Sequence, residues 1–186
     1  MRNVLMIVSG PSGVGKGTLV KRLIKEREDV TECVTCTTRA PRAGEVHGRE
    51  YFFLSKEEFE RRIQEDGFLE YDKHFDNYYG TPKAFVEETL KSKSVVLEID
   101  VVGALNAKKV YPDSVLVMIA PPSKEVLAAR LRGRGTETDE EIARRLSRLD
   151  YELSQQDKYD HVLINDDLET AYNNLCNLLD EEKNKQ

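Results

Sequence analysis

The feature that most constrains this chain is a glycine-rich passage set between two different periodicities. Residues 4–8 are an apolar run of strand length, and residues 18–25 follow with Leu19, Val20, Leu23 and Ile24 at helical spacing. Between them stands Gly10-Pro11-Ser12-Gly13-Val14-Gly15-Lys16-Gly17-Thr18, a G-x-x-x-x-G-K pattern in a strand, loop and helix context. Glycines let backbone N–H groups turn inward around an oxyanion, the helix start adds the positive end of a dipole, and the lysine bridges outer phosphates. A merely flexible turn would require neither the lysine nor the flanking strand and helix. Residues 10–18 are therefore predicted to cradle phosphate. One position departs from the general pattern: Gly17 stands where a Ser or Thr usually offers its hydroxyl to magnesium, so Thr18 becomes the candidate in its place.

Beyond the loop, residues 95–99 and 115–119 are β-branched apolar runs of the kind that fill central parallel strands, each followed by a helical stretch, the second capped by Ser123. Short strands are predicted at residues 35–38 and 51–54. Ser55 with Glu58 reads as a capping box that opens a helix to about residue 64, and Pro82 opens another at its first turn. Thr138 with Glu141 is a second box, leading a helix to about residue 156; a strand at 161–164 and a helix from 168 to about 182 close the chain. Strands alternating with helices predict an α/β fold with a mainly parallel sheet, and 186 residues suit one domain with its own core.

Thirty-four acidic against 28 basic side chains give a net charge of -6, which argues against nucleic acid or an anionic membrane as partner. No apolar run approaches the ~18 residues a membrane helix needs. Residues 4–8 are also too short for a signal-peptide core and pass straight into the glycine turn, so no export is expected. The odd cysteine count, Cys33, Cys36 and Cys176, fits a reducing cytoplasm, with the C-x-x-C pair read as packing residues. Any anion site must be local. Arginines gather at Arg39, Arg42 and Arg49, and again at Arg130, Arg132, Arg134, Arg144, Arg145 and Arg148.

Further motifs are spread along the chain: Thr37-Thr38-Arg39-Ala40-Pro41-Arg42-Ala43-Gly44-Glu45 with Gly48 and Tyr51, then Phe68-Leu69-Glu70-Tyr71 and Asn77-Tyr78-Tyr79-Gly80-Thr81. Leu97-Glu98-Ile99-Asp100, Ala120-Pro121-Pro122-Ser123, Arg134-Gly135-Thr136-Glu137 and Asn165-Asp166-Asp167-Leu168 follow. Together with the loop, these resemble the guanylate kinases over essentially the whole length. The resemblance implies a P-loop NTPase fold with a central, mainly parallel sheet, in one domain of three parts. These are a core of about residues 1–33, 85–124 and 148–186, a GMP-binding insertion of about 34–84, and a mobile lid of about 125–147. It implies transfer of the γ-phosphoryl group of ATP to GMP, with Mg2+ bound alongside ATP and held largely by phosphates and water.

By motif, Arg39, Arg42, Tyr51 and Tyr79 would hold the GMP phosphate, while Thr35, Glu70, Thr81 and Asp100 would face guanine. Lid arginines Arg130, Arg134 and Arg145 would meet the transferring phosphates, and Asn165 would lie near adenine. Lys16, Arg39, Arg134 and Arg145 form the implied catalytic set, and Arg132, Arg144 and Arg148 are left as surface charges. Elementary chemistry agrees: guanidinium forks and phenols satisfy a dianionic phosphate, and a carboxylate accepts from guanine N1-H and its 2-amino group. Thr35 and Cys36 stand where serines are common, Glu98 where aspartate is, and Val102 where glutamine is. With a second pKa near 6, the acceptor phosphate is mostly dianionic at pH 7, so no general base is required and His47, His74 and His161 are incidental. The competing class is a catalytically inactive guanylate-kinase-like module that binds proteins; Lys16 and the complete loop speak against it. A signalling GTPase would want N-K-x-D or T-K-x-D after a strand, and neither occurs.

Overall fold

Consecutive apolar residues, rather than alternating ones, mark strands covered on both faces, and these build the centre of the molecule. In the computed structural model, which describes residues 2–74, 76–133 and 138–185, they are β1 (Leu5–Ser9), β7 (Ser94–Glu98) and β8 (Val115–Ala120), with the part-exposed β2 (Val30–Glu32) and β9 (His161–Ile164) at the edges. They form one sheet in the order β2-β7-β1-β8-β9, with every pairing parallel. Met6 and Val8 of β1 pack on one face with Leu19 and Leu23 of α1 (Lys16–Glu26) and Leu175 and Leu179 of α7 (Leu168–Asn184). Leu5 and Ile7 pack on the other with Val101 and Ala104 of α4 (Val101–Val110). Each of these Leu, Ile, Val and Met side chains, fully buried, contributes about 1.5–3 kcal/mol.

Between β2 and β7 the chain makes a second, four-stranded sheet from β3 (Cys36–Thr37), β4 (Phe52–Phe53), β5 (Phe68–His74) and β6 (Asn77–Pro82), ordered β4-β3-β6-β5. It has its own small core. Phe59 of α2 (Lys56–Gln64) stacks on Phe68 at 4.4 Å and on Tyr78 at 5.1 Å. α3 (Lys83–Leu90) returns the chain to the large sheet, with Pro82 just before its first residue. α5 (Lys124–Gly133) and α6 (Asp139–Ser154) follow β8.

The predicted caps are met in different degrees. Thr138 and Glu141 make the full reciprocal box. Ser55 accepts from the Glu58 N–H at 3.1 Å, but the Glu58 carboxylate takes Arg61 and Arg62 instead of turning back. The β5–β6 hairpin is not among the predicted strands, because the alternation at residues 69–72 spans only four residues and Gly80 and Pro82 make the second strand read as a turn. Among the described residues, no helix is long and apolar enough to cross a membrane.

Candidate active site

The phosphate loop begins where β1 ends. Gly15 takes φ 96°, a left-handed conformation that suits glycine, and α1 starts at the next residue, so the helix N-terminus opens onto the loop. Lys16 Nζ folds back over the loop and donates to the carbonyls of Gly10 at 2.7 Å and Pro11 at 3.0 Å. Ser12 accepts through its Oγ from the Arg145 guanidinium of α6. Gly13, Val14 and Gly15 border an outer pocket that Arg130, Thr18 and Asn165 also line.

Asn165 is placed as a brace. It is only 5% exposed, its amide donates to the Val14 carbonyl at 2.7 Å, and its backbone N–H donates to Ala120 at 2.9 Å. Arg130 donates to the carbonyls of Asn165 at 2.8 Å and Asp166 at 3.0 Å. Both residues thus fix the wall behind the loop. Asn165→Ala should leave a buried carbonyl unpaired at a cost of about 1–3 kcal/mol. In thermal melts that lowers Tm by roughly 2–4 °C per kcal/mol; an unchanged Tm would show that the loop needs no such brace.

Glu98 ends β7 beside the loop. Its carboxylate oxygens lie 3.3 and 3.6 Å from where a Cβ on residue 17 would stand, so the bare Gly17 backbone makes room for it. Loss of water between loop and sheet raises its carboxyl above the ordinary range, while Lys16 pulls it down. It was noted in the sequence only as a substitution. The available signal was positional, since ligands of parallel α/β sheets gather at the carboxyl ends of the strands.

A separate cleft of about 370 Å³ lies between the smaller sheet and α4, with Thr35, Glu70, Asp100, Tyr51 and Tyr79 on its walls. Glu70 is half-buried, and its Oε1 accepts from Thr81 Oγ1 at 2.6 Å. Burial pushes the Glu70 carboxyl up, Asp100 and Asp72 add to the rise, and Thr81 opposes it. Thr81 is fully buried, so its hydroxyl positions Glu70 rather than facing the cleft. Asp100 Oδ1 accepts from the Gly103 N–H at 2.8 Å, capping α4.

Arg39 is brought to the same end as Tyr51 and Tyr79, its guanidinium 5.5 Å from the Tyr51 ring, which meets the Tyr79 ring edge-on at 6.2 Å. It pairs with both oxygens of Glu45, at 2.9 and 3.0 Å, and Glu45 also accepts from the Arg42 N–H at 2.7 Å. These donors hold the Glu45 carboxyl below its usual range, Arg39 contributing most. The Arg42 side chain is exposed and makes no hydrogen bond to a described residue. Arg134 lies outside the described residues. Arg148, expected as an outward surface charge, is exposed but lines the cleft from α6.

The family model for guanylate kinase matches residues 2–182. The chain is 48% identical to the guanylate kinase of Caldanaerobacter subterraneus subsp. tengcongensis, covering 98% of this chain and 89% of the relative. It is 46% identical to that of Clostridioides difficile, covering 99% and 90%. Among solved structures, the guanylate kinase from Anaplasma phagocytophilum superposes with a TM-score of 0.73 at 32% identity, covering 100% of this chain and 88% of that one.

Proposed function

Because this chain belongs to the guanylate kinase family and is a nucleoside monophosphate kinase that phosphorylates GMP at the expense of ATP, we propose that its two cavities divide the substrates. ATP takes the loop of residues 10–18, and GMP takes the cleft of Glu70 and Asp100. One observation carries this reading: Glu98 lines both cavities, so the phosphate ends of the two nucleotides converge at the end of β7. In this arrangement Glu70 and Asp100 accept from guanine, Thr35 lies on the same wall, and Thr81 holds Glu70 in place. Arg39, Arg42, Tyr51 and Tyr79 receive the GMP phosphate.

The remaining barrier is electrostatic. Two highly charged phosphates must meet in line with water excluded, and the dianionic acceptor needs no base. Lys16 would exchange its loop carbonyls for the outer phosphates of ATP, and Arg145, already at Ser12, would cap the transferring group together with Arg134. Arg130 and Asn165 would shape the outer pocket on the adenine side. The insertion, residues 34–84, and the lid, residues 125–147, would close over core residues 1–33, 85–124 and 148–186.

Magnesium fits the donors present. Thr18 offers a hydroxyl and Glu98 a carboxylate beside the loop, both hard oxygen ligands. No group of three or more His, Cys, Asp or Glu that could hold an ion occurs among the described residues, which supports an ion held jointly with nucleotide phosphates. When bound, it supplies neutralisation of phosphate charge. The free state of Cys33, Cys36 and Cys176 supports a cytoplasmic setting.

Arg145→Ala tests the division of roles. Expected is a loss of about 10²–10³ in kcat, as for one removed transition-state donor, with GMP affinity changed only a few-fold. Strongly weakened GMP binding with normal turnover would move Arg145 to the acceptor site.

A further inference from the structure

The acceptor cleft has an electrostatic problem. Its walls carry the carboxylates of Glu70, Asp72, Glu98 and Asp100, yet its proposed ligand arrives as a dianion. Arg148 is the one lysine or arginine on those walls among the described residues. It stands on α6, three residues after Arg145, which reaches Ser12 of the phosphate loop, and four before Glu152. These spacings put all three on one helix face. Arg145 on the loop and Arg148 on the cleft wall place this face between the two. Arg148 makes no hydrogen bond or ion pair with a described residue. A guanidinium beside four carboxylates and paired with none of them has little structural role to lose.

We propose that Arg148 is a further substrate-contacting residue, donating to the phosphate of the acceptor nucleotide from the α6 side of the cleft. Arg39 and Tyr51 approach that phosphate from the smaller sheet, so Arg148 closes the opposite side. A planar guanidinium fork matches two phosphate oxygens at once. The contact also ties occupancy of the GMP site to the position of the helix that carries Arg145 onto the loop. The inference rests on the cleft being the GMP site.

Steady-state kinetics at saturating ATP test it. Arg148→Ala should raise KM for GMP about ten- to a hundredfold, the usual worth of a hydrogen bond between charged groups, with KM for ATP within about twofold. Arg148→Lys should recover much of the loss, Arg144→Ala on the exposed side should be silent, and Tm should be unchanged. Guanosine, which lacks the phosphate, should compete with GMP with an unaltered inhibition constant. An unchanged KM for GMP, or a guanosine constant that rises in step with it, overturns the proposal. Glu70→Gln, run in parallel, separates this failure from failure of the site itself: if the ratio of GMP to AMP still responds to Glu70→Gln while KM for GMP ignores Arg148→Ala, only the Arg148 contact is wrong.

Discussion

Lys16→Ala should reduce kcat by about 10³ with saturating ATP and GMP while leaving Tm nearly unchanged. The two effects separate because the side chain has two different employments. In the free protein its ammonium caps two carbonyls of its own loop, Gly10 and Pro11, which water can solvate when the side chain is gone. During transfer it would neutralise charge on the migrating phosphoryl group, where water is excluded and no substitute is at hand. Removing a single aligned donor from such a centre costs about 2.7–4 kcal/mol, and a full charge belongs at the upper end. Turnover within a few-fold of the parent would show that the loop does not hold the transferring group.

Glu70→Gln should narrow the preference for GMP over AMP by about 1–3 kcal/mol in kcat/KM. The carboxylate accepts from guanine N1-H and the 2-amino group, whereas adenine presents a lone pair at N1 with no proton to share. In a closed site that mismatch leaves polar groups unpaired, which is why recognition by hydrogen bonds rejects so strongly. Glutamine keeps the shape and exchanges one acceptor for a donor. An unchanged ratio would pass the role to Asp100. The same carboxyl predicts a pH dependence. Burial raises its pKa in the folded protein, so between the ordinary carboxylate range and that raised value the folded chain binds more protons than the unfolded one, and free-protein stability falls as pH rises. Guanine's donors favour the ionised form, so KM for GMP should fall as pH rises through the same interval. That trend should flatten in Glu70→Gln.

Much of the core was legible because its signals are local. The apolar runs of β1, β8 and β9, the glycines of the loop and the Thr138 box each announce themselves within a few residues. α1 begins two residues earlier than helical spacing suggests, because Gly15 in its left-handed conformation already turns the chain. The β5–β6 hairpin escaped for the opposite reason: the alternation of Leu69, Glu70, Tyr71 and Asp72 spans only four residues, and Gly80 and Pro82 make the second strand read as a turn. At the site, Arg39, Tyr51 and Tyr79, which stand in two separate motifs, lie close together. What sequence could not convey was pairing across long separations. Asn165 bonds Val14 from 151 residues away, and Thr81 donates its hydroxyl to Glu70. Arg148 looked like any charge on a wet helix until the turn of α6 set it beside the cleft.

The Glu45 carboxylate, seated on Arg39 and on the Arg42 N–H, changes what GMP binding amounts to. On the proposed assignment, the arriving phosphate does not meet a bare cation. It replaces an oxyanion already in residence, so Arg39 exchanges one anionic partner for another, and the gain from that guanidinium is the difference between two ion pairs. Stray inorganic anions, which bring a phosphate-like charge but no guanine to anchor it, have little with which to dislodge the carboxylate. An internal tenant of this kind makes the acceptor clamp selective for a whole nucleotide, and it keeps the arginine loop in a defined shape while the site waits for one.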